Sequence, residues 1–122
     1  MTIRRMHHVQ VTVPSDAESA ARKFYCQILG LEEFDTPDSL KSSGGFWLLL
    51  GDQELHVSLE DGFDRTTTKA HVAYQVESLE AWRQKLTQAG IKIGESVPIP
   101  GYRRFECREP FGNRMEFIEP LE

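Results

Sequence analysis

Hydrophobic and polar residues alternate strictly in two segments of the chain, residues 8–13 and 71–76. Such alternation predicts a strand with one buried face. Each segment precedes apolar residues at helical spacing, and each helical pattern ends at a glycine, Gly30 in the first case and Gly90 in the second. The predicted N-terminal caps are Ser15 or Asp16 for the first helix and Ser78 for the second. Both halves of the chain therefore begin as a strand followed by a helix.

Three further strands are predicted after each glycine. They are residues 32–34, 46–50 and 54–59 in the first half and 92–93, 103–108 and 114–118 in the second. The polar segment 61–69 is the predicted linker. The chain is thus expected to be one α+β domain, residues 1–122, with βαβββ modules at about 4–60 and about 69–120. We expect a curved mixed sheet with its helices outside and a concave polar site inside.

Composition narrows the class of protein. Hydrophobic residues make up 39% of the 122 residues and charged residues 27%, which is typical of a globular domain. The net charge of −5 argues against a nucleic-acid partner. No apolar run approaches the roughly 18 residues of a membrane helix, and no apolar signal segment follows the N-terminal arginines. The expectation is a cytoplasmic protein without a membrane or nucleic-acid partner.

Four side chains that can bind metals stand at positions related by the repeat. His8 and His71 open the first strand of each half. His56 lies 26 residues after Gly30, and Glu116 lies 26 residues after Gly90. Side chains of a strand alternate between its faces, so all four are expected on the face opposite the one that packs a helix.

Imidazole and carboxylate groups are ligands for zinc, nickel, manganese and iron. The sequence therefore predicts one divalent first-row metal ion bound by His8, His56, His71 and Glu116. A polar cavity without a metal is the alternative. The same alternation places Arg104 and Glu106 toward the cavity, where Arg104 would bind a substrate carboxylate and Glu106 would transfer a proton. Gln10 shares the His8 face of its strand and is a further predicted substrate contact.

The end of the second half carries a resemblance to a known family. Its sequence is Glu109-Pro110-Phe111-Gly112-Asn113-Arg114-Met115-Glu116. With the paired modules and the His-Val strand starts, it resembles the vicinal oxygen chelate superfamily, which includes glyoxalase I, methylmalonyl-CoA epimerase, extradiol dioxygenases, fosfomycin-modifying transferases and bleomycin-binding proteins. The resemblance implies that His8, His71 and Glu116 are metal ligands. It also places His56 at a fourth ligand position, where glyoxalase I and the epimerases carry Glu or Gln.

This resemblance implies a metal-dependent lyase or isomerase that acts on a small anionic substrate with two chelating oxygens. Four protein ligands would leave two positions of an octahedral ion for such a substrate. An Fe(II) extradiol-type dioxygenase that uses only His8, His71 and Glu116 is the first alternative. A non-catalytic drug-binding resistance protein is the second. A fosfomycin-type transferase is disfavoured, because Gln10 stands where that group has a threonine.

A homodimer is also expected. Modules of this kind commonly pair within one chain or between two chains, and a short chain has few residues to cover its sheet edges. The pairing could bring His8 and His56 from one chain to His71 and Glu116 of another.

Overall fold

Eight strands form two four-stranded mixed sheets, one in each half of the chain. The computed structural model describes residues 1–122 and divides into two compact units, Met1–Gly62 and Phe63–Glu122. The predicted α+β class and the repeated βαβββ order are confirmed. No helix combines the length and the apolar character needed to cross a membrane.

The first unit begins with strand β1 (His8–Val13), followed by helix α1 (Glu18–Arg22), which continues as a π-helix over Lys23–Ile28. Strands β2 (Glu32–Phe34), β3 (Phe46–Leu50) and β4 (Gln53–Leu59) complete it, with a 3-10 helix over Asp38–Ser43. The sheet order is β1-β4-β3-β2. Its first and last strands pair in parallel, and its other pairs are antiparallel.

The second unit repeats this topology. A short 3-10 helix (Arg65–Thr67) precedes strand β5 (His71–Gln75) and helix α2 (Leu79–Gln88). Strands β6 (Ile93–Glu95), β7 (Tyr102–Arg108) and β8 (Arg114–Pro120) follow. The order is β5-β8-β7-β6, again with the first and last strands parallel. Every predicted strand is present, with its ends displaced by two residues or fewer.

The start of the first helix differs from the prediction. Its N-cap is Ala17, whose side chain cannot cap, rather than Ser15 or Asp16. Ser15 instead donates from its backbone N–H and its hydroxyl to the Asp61 carboxylate, at 3.0 and 2.5 Å. The hydroxyl group that local sequence predicts as the helix cap therefore donates its hydrogen bond to a carboxylate 46 residues further along the chain. The predicted cap of the second helix is confirmed, because the Ser78 hydroxyl accepts from the N–H of Ala81 at 3.2 Å.

One face of each sheet packs against the helix of its own unit. In the second unit, the buried Phe117 ring lies 5.4 Å from Trp82 of α2 and 5.3 Å from Phe105. In the first unit, the Arg22 guanidinium lies 4.7 Å from the centre of the buried Phe46 ring. Strand alternation therefore turns the neighbours of these residues, among them Glu116, to the opposite face.

Candidate metal site

Three stacked rings occupy the polar face of the first unit. His56 on the central strand β4 lies between Trp47 of β3 and His8 of β1. Its ring is nearly parallel to both neighbours, with centroid distances of 3.9 Å to Trp47 and 4.1 Å to His8. His56 is buried, with 5% of its surface exposed, whereas His8 is exposed. The flat neighbours fix the plane of the His56 ring, so its nitrogens can reach a ligand only in that plane.

Glu54 determines which nitrogen of His56 carries the proton. Its Oε1 lies 2.8 Å from His56 Nε2. The pKa of Glu54 is lowered chiefly by this hydrogen bond, which favours the ionised carboxylate. An ionised carboxylate only accepts hydrogen bonds, so Nε2 donates and the neutral ring keeps its lone pair on Nδ1. A carboxylate that fixes the tautomer of an imidazole in this way is common behind metal-ligating histidines.

Two predicted ligands of the second unit meet directly. His71 Nδ1 lies 2.9 Å from the carbonyl oxygen of Lys69, and a carbonyl only accepts, so Nδ1 carries a proton. The other nitrogen, Nε2, lies 3.1 Å from Glu116 Oε1. In the neutral imidazole both of these atoms present lone pairs, and two such atoms repel at that distance. The pair is favourable only with a cation between them, either a proton on Nε2 or a metal ion.

Charged side chains surround Glu116. Arg104 donates from two nitrogens to the Val97 carbonyl oxygen, at 2.6 and 3.0 Å, and its Nη1 lies 3.2 Å from Glu116 Oε1. Glu106, the register partner of Glu116, accepts two hydrogen bonds from Arg114, both at Oε2. The Arg114 guanidinium is the main cause that lowers the pKa of Glu106, so this carboxyl is ionised at neutral pH and only weakly basic.

The structure brings the sequence-predicted residues together within each unit. In the first unit His8 stacks on His56, and Gln10 is the register partner of His56. In the second unit the predicted residues that lie together are His71, Arg104, Glu106 and Glu116. No group of three or more His, Cys, Asp or Glu side chains in the structure is arranged to hold a metal ion.

Two further residues belong to these clusters and were not predicted from the sequence. Glu54 is paired with His56, and Arg114 is paired with Glu106. The alternation that placed His56 and Glu116 on the polar face could have identified both residues. Glu54 and Arg114 each precede their neighbouring candidate by two residues, and they occupy equivalent positions opposite His8 and His71.

The chain belongs to the Glyoxalase/Bleomycin resistance protein/Dioxygenase superfamily, whose family model matches residues 5–117. The resemblance seen in the sequence is thereby confirmed. No curated protein matches the chain.

Solved structures agree with this assignment. A glyoxalase family protein from Bacillus anthracis is 38% identical, with 98% of each chain covered and a TM-score of 0.89. A glyoxalase/dioxygenase from Nostoc punctiforme is 21% identical over 98% of this chain and 92% of that one, with a TM-score of 0.80. The fosfomycin resistance protein FosX from Listeria monocytogenes, complexed with Mn(II) and sulfate, is 17% identical over 98% and 93% of the two chains, with a TM-score of 0.77. The last two similarities concern the fold alone.

Proposed function

We propose that this protein is a metal-dependent lyase or isomerase of the glyoxalase and epimerase kind. Its substrate would be a small anionic molecule with two neighbouring oxygens. The proposed ligands of one divalent first-row ion, zinc, nickel, manganese or iron, are His8, His56, His71 and Glu116. The observation that carries the proposal is the contact of His71 Nε2 with Glu116 Oε1 at 3.1 Å, where two lone-pair atoms need a cation between them.

The donor chemistry of the first unit fits the same ion. Glu54 holds the proton of His56 on Nε2, so the ring offers Nδ1 as a donor atom. His8 adds a second imidazole at 4.1 Å between ring centroids. A bound divalent ion would supply Lewis-acid stabilisation of negative charge on substrate oxygens. Mn(II) in FosX is consistent with a divalent ion in this fold.

The remaining polar residues would handle the substrate and its proton. We propose that Glu106 receives a proton from a substrate carbon through Oε1, the oxygen that Arg114 does not hold. Its lowered pKa makes it a weak base that returns the proton readily. Arg104 is proposed to exchange its contact with Glu116 for one with a substrate carboxylate. Gln10, exposed beside His56, would contact the polar end of the substrate.

A homodimer completes the proposal. One ion needs ligands from both modules, which would pair either within one chain or between two chains. Sedimentation at micromolar concentration is expected to give twice the 14.0 kDa mass of the chain. A monomer at that concentration would contradict the dimer and leave the ligand set to be tested separately.

The test combines metal analysis with proton exchange. Metal-loaded protein should contain about one equivalent per chain, the stoichiometry of a single ligand set. It should catalyse solvent deuterium exchange into one member of a panel of 2-oxo acids, 2-hydroxy acids, thioesters and hemithioacetals. His8→Gln should lose the metal, whereas the control Lys85→Gln, on an exposed residue of helix α2, should keep it. Glu106→Gln should keep the metal and lose exchange. Metal retained by His8→Gln would contradict the ligand set.

A second candidate function is an Fe(II) dioxygenase whose ligands are His8, His71 and Glu116. The observation that favours it is the packing of His56, which has a ring stacked on each face and Nε2 bonded to Glu54, so that only Nδ1 remains for a ligand. His56 would then be an acid–base or structural group beside the ion. Oxygen consumption with catechols, without deuterium exchange into the panel, would favour this candidate over the first.

A further inference from the structure

A row of basic side chains crosses the sheet of the second unit at one level. Arg108 of β7 is the register partner of Arg114 of β8, which is in turn the partner of His71 of β5. Lys92 extends the row, because the next residue, Ile93, pairs with Cys107. Partners in a sheet point to the same face, so Arg108 and Arg114 share the face of Glu106 and Glu116.

A pocket of about 420 Å³ lies along this row. Three cations line it, Lys92, Arg108 and Arg114, against the single carboxylate of Glu106. Gly94, the register partner of Glu106, also lines the pocket and leaves that part without a side chain. The pocket therefore has room for a group of a few atoms beside the proposed catalytic carboxylate.

Two of the three cations form no ion pair, although the pKa of the Asp64 carboxyl, which is lowered chiefly by hydrogen bonds from Thr66, is lowered further by the charge of Arg108. Arg114 is neutralised by Glu106. Arg108 is held by the carbonyl oxygens of Arg65, Gly112 and Thr68, at 3.0, 2.9 and 3.0 Å. Carbonyls position the guanidinium but do not cancel its charge. Lys92 is exposed and makes no ion pair.

This local excess of positive charge stands out in a chain with a net charge of −5. Arg108 is held by three carbonyl oxygens, and Lys92 lines the pocket with an exposed side chain. A fixed cation beside an unpaired ammonium in a recess is an arrangement that binds carboxylates and phosphates.

We propose that this pocket binds an anionic group, a carboxylate or a phosphate, with Lys92 as its direct contact and Arg108 as a fixed source of positive potential. The assignment of that group to the substrate rests on the proposed function. The pocket would thus hold one end of an anionic substrate beside Glu106 of β7, the strand that pairs with the strand of Glu116.

The test uses metal-free full-length protein, so that it does not depend on the metal. Backbone amide spectra are titrated with inorganic phosphate and separately with malonate, at constant ionic strength. Saturable shifts are expected at Gly94 and Arg108. Lys92→Gln should raise the Kd about threefold to tenfold, as the loss of one charge-assisted contact predicts. Lys92→Glu should abolish saturation.

The matched control is Lys85→Gln, which removes the same charge from the same unit. Lys85 lies on helix α2, over the Trp82 ring at 5.1 Å, and helix α2 packs on the other face of the sheet. It should change the Kd less than twofold if binding is local. Both Lys92 substitutions affect an exposed side chain, so folding is expected to be retained.

Each outcome decides the matter. Saturable binding that depends on Lys92 supports the pocket, and the tighter of the two anions identifies its chemistry. Equal effects of Lys92→Gln and Lys85→Gln on the Kd would show that binding depends only on the net charge of the protein, which would overturn the proposal. An absence of saturation would also overturn it. Metal affinity is measured in a separate titration, so a failure of the anion pocket leaves the metal proposal intact, and the reverse also holds.

Discussion

Replacing Glu116 by Gln is expected to separate metal binding from folding. The amide has nearly the shape of the carboxyl group and keeps an oxygen where Oε1 lies, 3.1 Å from His71 Nε2 and 3.2 Å from Arg104 Nη1. The substitution removes one negative charge from a side chain that is only 7% exposed. Its effects on stability and on metal affinity therefore differ in origin and can be worked out separately.

The stability effect is small because two large terms oppose each other. At 3.2 Å and an effective dielectric constant of about 20, the attraction between Glu116 and Arg104 is about 5 kcal/mol. Burial of the carboxylate costs several kcal/mol, which the amide avoids. The amide oxygen also keeps its polar contact with Arg104 Nη1. The free energy of unfolding of the metal-free protein should fall by about 1–2 kcal/mol, and Tm by roughly 3 to 10 °C.

The metal affinity should fall much further. In Glu116→Gln a neutral amide oxygen replaces a charged carboxylate oxygen as the ligand of a divalent cation. No gain in desolvation free energy compensates the weaker attraction. Substitution of a residue behind a ligand already costs about 10- to 100-fold in affinity, so loss of a charged ligand should cost at least about 100-fold. Calorimetric titration of the metal-free protein with Zn²⁺ and with Mn²⁺ measures this change, and circular dichroism follows thermal unfolding.

Glu119→Gln is the matched control on the same strand. Glu119 is also paired with an arginine, Arg103, at 3.3 Å, and it also accepts a hydrogen bond, from the N–H of Leu79 at 2.7 Å. It lies on the face that packs helix α2. It should lose stability to a similar extent and keep its metal affinity. Unchanged metal affinity in Glu116→Gln, or an equal loss in Glu119→Gln, would refute the reasoning.

Three other substitutions test separate parts of the structure. Glu54→Gln should weaken metal binding about tenfold, because an amide can donate as well as accept and so no longer fixes the tautomer of His56, and calorimetry would measure the change. Phe117→Ala should destabilise the protein by about 3–5 kcal/mol in urea unfolding, since the ring is 2% exposed and contacts three other rings. The pKa of Glu106 is lowered by Arg114, so this carboxyl stabilises the fold above about pH 4.5 and loses that contribution as the pH falls further. Stability measured from pH 6 to pH 3 should therefore decline less steeply in Glu106→Gln.

Alternation and turn residues were enough to predict the strands. Their apolar positions repeat every second residue, and glycines at the helix ends take positive φ, 75° at Gly30 and 85° at Gly90. The π-helix over Lys23–Ile28 was not predicted, because its apolar residues also fit α-helical spacing. The Ser15–Asp61 contact was missed for a related reason. Local sequence shows which groups can cap a helix but not which distant carboxylate competes for them.

In the candidate site, too, the sequence predicted the positions of residues on a face but not their contacts. Repeat register predicted four candidate ligands on one face of each sheet, and the structure places His8 beside His56 and His71 beside Glu116. The register did not predict the partners Glu54 and Arg114, since a charged residue on a strand face usually points into solvent. Their roles depend on cross-strand distances, such as the 2.8 Å between Glu54 and His56, that alternation cannot supply.

Parallel pairing of β1 with β4 determines when the first unit can assemble. Strands β3 and β4 meet across the two-residue turn Gly51–Asp52, a local contact that forms quickly. His8, in contrast, must reach Glu54, 46 residues further along the chain. Loop closure delays such a contact until the later strands exist. β1 is therefore expected to dock last, so that a newly made chain has its His56–Trp47 stack before its second imidazole arrives, and metal capture becomes a late event of folding.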